Sequence, residues 1–367
     1  MNKIFIYGIV IFIINLNELY AQSYDLTSVD EFFKVAGILK EGKEISNVQW
    51  DNFDNSACYR NYSKRQDKFV INTIKNSIII VFGSSHNSEL DSILSITEKD
   101  MERDIKLLFK KELLTNYLSV KSNYDSIKSF RENYDFNNLV EKSKQRLGSF
   151  LGQPLDSSII LNPVYFLFIT ADGKNNEEAI YVDFNLIYKK TEQQRIDFIA
   201  HEMFHNYRAY FRNYDFIHSS DLNSALDMIQ DEGIADLIDK KIGYNNYFIE
   251  NGELTELGEI FVKLYSQAPT DLERFQSVIL DYSKDKITET KMIDEIIEIV
   301  KFGGHPIGFY MANKIVSAGY QEQMLITFYN PYEFFRLYNK AAKEQNGFQL
   351  SDEFMNYLNE ITKEYYR

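Results

Sequence analysis

TEQQRIDFIAHEMFHNYR, residues 191–208, decides how the rest of the chain is read. Thr191 is a good helix cap, and Ile196, Ile199, Ala200, Met203, Phe204 and Tyr207 recur at helical spacing. His201 and His205 are four residues apart, so they share one face about one turn from each other. Both imidazoles then reach a single metal ion. Glu202 lies one residue off that line, where it stands beside a metal as a base without ligating it. The same residues also fit a plainer reading, two half-buried histidines satisfied by hydrogen bonds.

A third ligand is available downstream. Residues 230–239 read QDEGIADLID, and Glu232 follows His205 by 27 residues. That leaves room for a loop and a second helix, capped by Ser220 or Asp221, with Leu222, Ala225, Leu226 and Ile229 on its buried face. Glu232 continues that face. A carboxylate among apolar neighbours is costly unless paired, and a cation beneath it removes the penalty. Asp236 is one turn further on, placed to accept the second ring N–H of a ligating histidine.

Upstream of the helix the character is different. VYFLFIT (164–170) is β-branched and aromatic and reads as a buried strand. Ala171-Asp172-Gly173-Lys174 is a turn signal. AIYVDFNLIY (179–188) alternates Ile180, Val182, Phe184 and Leu186 with Tyr181, Asp183 and Asn185, which predicts a half-exposed strand. Elsewhere helical spacing dominates: residues 27–45, most of 87–150, and 220 to the end. SIIIVF (77–82) fits either a buried helix or a strand. The expected fold class is mainly α with a small β-sheet (α+β), its metal helix packed under the sheet. The expected organisation is a signal peptide (1–21), a helical region (22–150), a core carrying the metal helices (151–242) and a helical region completing the cleft (243–367). Trp50 and its neighbouring tyrosines are expected in the core, His86 and His218 on the surface, and Asn206 and Arg208 in supporting roles.

The chain has 367 residues and a formal charge of −14, so no broad basic surface is offered to phosphates and no nucleic-acid partner is expected. Lys3 and the apolar run Ile4–Leu16 ahead of Tyr20-Ala21 predict a cleaved leader ending at Ala21. The run is shorter than the roughly 20 residues of a membrane span, so no stable membrane insertion is expected after its removal. With Cys58 as the one cysteine no intrachain disulfide can form. A secreted or periplasmic bacterial location follows as the expectation.

HEMFH followed by a helix with EGIAD resembles the gluzincin metallopeptidases, the thermolysin-like clan, over roughly residues 160–240. The resemblance implies Zn²⁺ held by His201, His205 and Glu232, with Asp236 orienting a ligand histidine. The whole chain is also similar to an uncharacterised bacterial family described as zinc-dependent peptidases, in which a late GHP-G-YM segment recurs. Here that segment is GGHPIGFYMA (303–312). Pro306 suits a first helical turn, which puts His305 near the cap and Tyr310 one turn inside. Either is a candidate catalytic donor to a developing oxyanion, and helix cap and core packing are the bland alternatives. The clan's aminopeptidase pattern Gly-x-Met-Glu-Asn is absent from the sequence, as is the third histidine of metzincins.

The expected function is therefore a secreted zinc metallopeptidase, an endopeptidase on peptides or proteins, with Glu202 as general base. The clan analogy lays the substrate antiparallel along a strand edge near residues 179–188. The alternatives are a zinc-stabilised binding or adhesion protein without turnover and a zinc hydrolase of a non-peptide amide.

Overall fold

The structure, a computed structural model, describes residues 23–83, 88–95, 105–170, 172–240, 248–250 and 253–366. The expected leader and His86 lie outside them. No described helix is long and apolar enough to cross a membrane.

The fold is mainly helical with a small sheet, as the spacing predicts. Strand β1 (Tyr24–Asp25) leads into a layer of helices. Its principal members are α1 (Thr27–Lys40), α2 (Lys68–Phe82), α3 (Ile105–Ser122) and α4 (Phe136–Leu151). The ambiguous SIIIVF resolves as the end of α2, where Asp67 caps the N-terminus by accepting from Val70 N. Gly152 ends α4 in the left-handed conformation at φ 71°, the usual glycine stop.

Strands β2 (Val164–Leu167), β3 (Gly173–Asn175) and β4 (Ile180–Asp183) complete a sheet of order β1-β2-β4-β3. β1, β2 and β4 run parallel, and β3 runs antiparallel to β4, pairing Gly173 with Val182 and Asn175 with Ile180. Two expectations fail here. The 179–188 stretch is a strand only to Asp183, whose carboxylate accepts from Leu186 N and starts helix α5 (Phe184–Lys189). Nor is β4 half-exposed, since all four of its residues are buried. Tyr181 packs on Tyr62 from the helical layer, and Asp183 accepts from Asn116 Nδ2 at 2.9 Å and Ile169 N at 2.9 Å. Alternation reports which side chains share a face but not whether a second layer covers the other one. Among the described residues the sheet ends beyond β4 at β3, from a segment whose sequence reads as a turn.

After β4 come α6 (Glu192–Ala209), α7 (Asp221–Asp239), α8 (Glu256–Ser283), α9 (His305–Ser317), α10 (Pro331–Glu344) and α11 (Asp352–Thr362). α6 lies against β3 and β4, between α4 and α7, and α9 crosses α7. One apolar core runs from Leu26, just before α1, to Leu358 in α11, and Trp50, expected inside it, packs against it only partly buried. Phe32 stands at its centre in contact with Phe33, Phe82, Tyr117 and Phe168.

Candidate metal centre

Thr191 caps α6 in a full capping box with Gln194, and Ser220 caps α7 by accepting from Asn223 N. The apolar faces read in the sequence are buried: Ile199 and Phe204 on α6, Leu226 and Ile229 on α7. Packing those faces together turns His201, His205 and Glu232 toward each other.

The third contributor arrives by a backbone device. Phe302, Gly303 and Gly304 have φ of 49°, 62° and 87°, a left-handed run that delivers His305 as the first residue of α9, with Pro306 behind it. α9 then crosses α7 at two glycines. A Cβ on Gly308 would stand 2.2 Å from Ile229 O, and one on Gly233 would stand 2.4 Å from Gly308 C. Only bare backbones approach this closely, and the approach sets His305 beside Glu232.

The Nε2 atoms of His201 and His205 are 3.0 Å apart. Glu232 Oε2 is 3.7 Å from the first and 3.4 Å from the second. Ligands held about 2.0–2.2 Å from a tetrahedral zinc stand roughly 3.3–3.6 Å from one another, so the trio has metal-site spacing. Glu232 Oε2 is also buried and accepts no hydrogen bond. An anionic oxygen in that position is expensive without a cation, so the residues present fit a zinc ion. His305 Nε2 is 3.2 Å from the same Oε2, its ring stacks on that of His201 at 5.9 Å, and among the described residues its ligand atom groups with those of Glu232 and Asp236.

Every histidine of the cluster has a carboxylate on Nδ1: Asp239 for His201 at 3.0 Å, Asp231 for His205 at 2.9 Å and Asp236 for His305 at 2.9 Å. Such partners fix the tautomer and leave Nε2 for the metal. This corrects the reading of Asp236. It was expected on a metal-ligating histidine, but its Oδ1 is 3.8 Å from His201 Nδ1 and bonds His305 instead. The crossing of α9 over α7 makes the difference, because it sets His305 over Asp236 while His201 reaches Asp239. Lys240 Nζ joins the two aspartates, at 2.6 Å from Asp236 Oδ1 and 3.2 Å from Asp239. Beneath His205, the buried Arg208 bonds Asp227 at 2.7 Å, Gln230 at 2.8 Å and Phe328 O at 2.8 Å, and lies 3.5 Å from Asp231. Arg212 bonds Asp227 as well. Asn206 accepts from Asn162 N, tying α6 to the segment before β2.

The electrostatics follow from burial and these partners. Burial pushes His205 toward the neutral form, but the Asp231 and Glu232 charges outweigh it and hold its pKa well above the ordinary value. Burial likewise opposes the charge on His305, and Asp236 and Glu232 raise it. Burial pushes Glu232 up, while His205 and His305 bring it down to about 2. Glu202 is raised by burial, with His201 and His205 acting against the shift. Its carboxylate is held by β3: Asn175 Nδ2 donates to Oε2 at 2.5 Å and to Glu202 O at 3.1 Å.

Tyr310 is not brought to this cluster. It packs against Tyr265 and Tyr338, with Lys314 over its ring, on another face of α9 from His305. His218 is exposed, as expected. The sequence reading missed Asp231, Asp239, Lys240, Gly173 and Asn175. A signal existed for the first two: Asp227, Asp231 and Asp239 repeat at multiples of four along a face that is otherwise apolar. Nothing local marked Asn175.

The family model described as "Putative zinc dependent peptidase (DUF5700)" matches residues 50–347. The chain belongs to that family. No curated protein and no solved structure matches it.

Proposed function

We propose that this member of a zinc-peptidase family is a gluzincin-type endopeptidase, exported from the cell by its leader and cleaving extended peptides. The observation that carries the reading is Glu232 Oε2, buried without a hydrogen bond and facing the Nε2 atoms of both HEMFH histidines at metal-site spacing. His201, His205 and Glu232 would hold the ion. Three protein ligands leave a position open for chemistry, whereas structural zinc sites normally have four. The ion supplies Lewis acidity, which makes water nucleophilic near neutral pH and polarises the scissile carbonyl.

The remaining work falls to the chain. Glu202, made more basic by burial, takes the proton of the attacking water and passes it to the leaving amine. His305, oriented by Asp236 and biased toward its protonated form, donates from Nε2 to the oxyanion developing on the substrate carbonyl. β3, the terminal strand beside α6, offers its edge to an extended substrate, in place of the 179–188 segment read from the sequence.

The test is metal content and turnover on a diverse peptide library. The chain should carry about one zinc, and His201→Ala should lose it. Glu202→Gln should keep zinc and lose about 10²- to 10⁴-fold in turnover. A freshly purified chain that holds no zinc and takes up none when it is added ends this reading. N-terminal sequencing of the native protein checks export, with Gln22 expected as the first residue.

A further inference from the structure

β3 does more at the site than present an edge. Its two inward positions both touch Glu202. A Cβ on Gly173 would stand 2.3 Å from Glu202 Oε1 and 2.9 Å from Phe198 Cζ, so the strand passes the carboxylate at glycine distance. Asn175, two residues on, clasps the same residue twice, through its side-chain oxygen Oε2 at 2.5 Å and its backbone oxygen at 3.1 Å. Both contacts are acceptors, so the amide must turn Nδ2 toward Glu202. Oδ1 is then left buried with no donor. An orphaned buried acceptor is costly, so the two bonds to Glu202 are what hold the amide in this orientation. The asparagine spends its donor on the carboxylate and leaves its acceptor unpaired.

Strand pairing fixes where that donor stands. Asn175 is in register with Ile180 of β4, and the next residue, Asn176, donates N–H to Ala179 O. The carboxylate is therefore referenced to the sheet as well as to its own helix. Among the described residues β3 also ends the sheet opposite β1, and its outer edge is the one an extended substrate would extend.

We infer that Asn175 is a positioning residue that sets the place of the Glu202 carboxylate, and that a substrate strand added to β3 steadies this clasp, so that substrate length raises kcat and not only affinity. The inference rests on the zinc-peptidase reading above. Its physical content is that binding energy gained away from the scissile bond is spent on holding the base where the transition state needs it. Glu202 keeps its chemical role. Asn175 acts through it and touches no reacting atom.

The experiment uses the zinc-loaded full chain and a nested series of peptides, each extending the same cleaved core by one residue at either end. Zinc per chain, melting temperature, kcat and KM are measured for the parent, Asn175→Ala and Asn175→Asp. The near-isosteric aspartate removes the donors, and it serves as the informative variant if the alanine fails to fold. In the parent, kcat should climb with peptide length. In both variants kcat on the longest peptide should fall about 10- to 100-fold, as losses around a metal site do, with zinc content unchanged. The climb with length should also flatten. In a Glu202→Gln background, Asn175→Ala should cost nothing further, because the two act as one unit.

A readout independent of turnover accompanies this: calorimetric binding of a peptide hydroxamate, which ligates zinc and gives a proton to a neighbouring base. Asn175→Ala should weaken it about tenfold, in line with the loss expected for a supporting residue. Full kcat in both variants, a drop that only tracks lost zinc or lost melting temperature, or unchanged hydroxamate binding overturns the role of Asn175 and leaves the zinc-peptidase reading standing. A parent that binds zinc but neither hydroxamate nor any peptide overturns the zinc-peptidase reading first, and this inference with it.

Discussion

Between residues 23 and 170 the buried polar side chains among the described residues are neutral: Ser28, Ser56, Thr73, Ser77, Asn116, Ser143 and Thr170. Between 183 and 240 most are ionisable, among them Asp197, His201, Glu202, Arg208, Asp227, Asp231, Asp236, Asp239 and Lys240. The first region is held by aromatic and aliphatic packing, with several of these hydroxyls and amides bonded to a backbone oxygen, as Ser143 is to Leu139 O and Thr73 to Phe69 O. The second holds charge inside the protein. Replacing paired buried charges with apolar side chains is often neutral or stabilising, so their concentration in one place is a poor stability device. It is what a metal site needs, because carboxylates behind imidazoles tune ligand basicity and orientation. Around the site Arg208, Arg212 and Lys240 pair with Asp227, Asp231, Asp236 and Asp239, and the carboxylates of Glu202 and Glu232 are buried beside them. Protonated imidazoles or a divalent cation must offset the surplus negative charge.

The contrast breaks first if the neutral region proves coupled to the metal. Phe32→Ala empties a fully packed aromatic position and should cost about 3–5 kcal/mol in a denaturant titration. Zinc affinity measured by competition should stay within about twofold of the parent, since distant sites act independently. A Phe32 variant that folds but loses zinc would mean the two regions are one cooperative device.

Within the charged region, the two aspartates joined by Lys240 should separate by function. Asp239→Asn removes the carboxylate behind His201 and should lower zinc affinity about 10- to 100-fold. Asp236→Asn should leave zinc affinity near the parent value and lower turnover instead, because its partner is His305. Equal loss of zinc in both variants would return Asp236 to the role its spacing had implied.

The smallest effect is a pH signature. His205 and His305 have raised pKa values in the metal-free fold. Their contribution to stability is full below the unfolded histidine value of about 6.5 and is lost as pH rises through the folded values. Glu232, lowered to about 2, contributes above the unfolded glutamate value of about 4.3, and that part is lost as pH falls toward 2. From these groups the metal-free chain is most stable between roughly pH 4.3 and 6.5. Zinc needs neutral imidazoles, so its stabilisation grows as they deprotonate. The gap in melting temperature between zinc-loaded and metal-free protein should widen from about pH 5 to pH 8. A gap that is flat or narrows would show that His205 is not what the ion binds.

Much of the centre was legible in the chain because it depends on local geometry. Two histidines four apart on a capped amphipathic helix share a face wherever that helix sits. Glu232 was legible for a related reason, as the first charged residue continuing the apolar line Leu222, Leu226 and Ile229 of the next long helix. The helical class and strand β2 follow from period and composition in the same way. What could not be read was set by contacts between segments far apart in sequence. Whether Asp236 or Asp239 stands behind His201 depends on how α9 crosses α7, and two bare backbones at Gly233 and Gly308 fix that crossing. The same crossing brings His305 to Glu232 and sends Tyr310 to Tyr265 and Tyr338. β3 reads as a turn because a three-residue strand has too few side chains to show a period. Its pairing with β4 is what makes it a strand, and that pairing puts Asn175 on Glu202. A helix carries its own hydrogen bonds and so declares itself in sequence, whereas a strand edge and a helix crossing exist only once a partner has been placed against them.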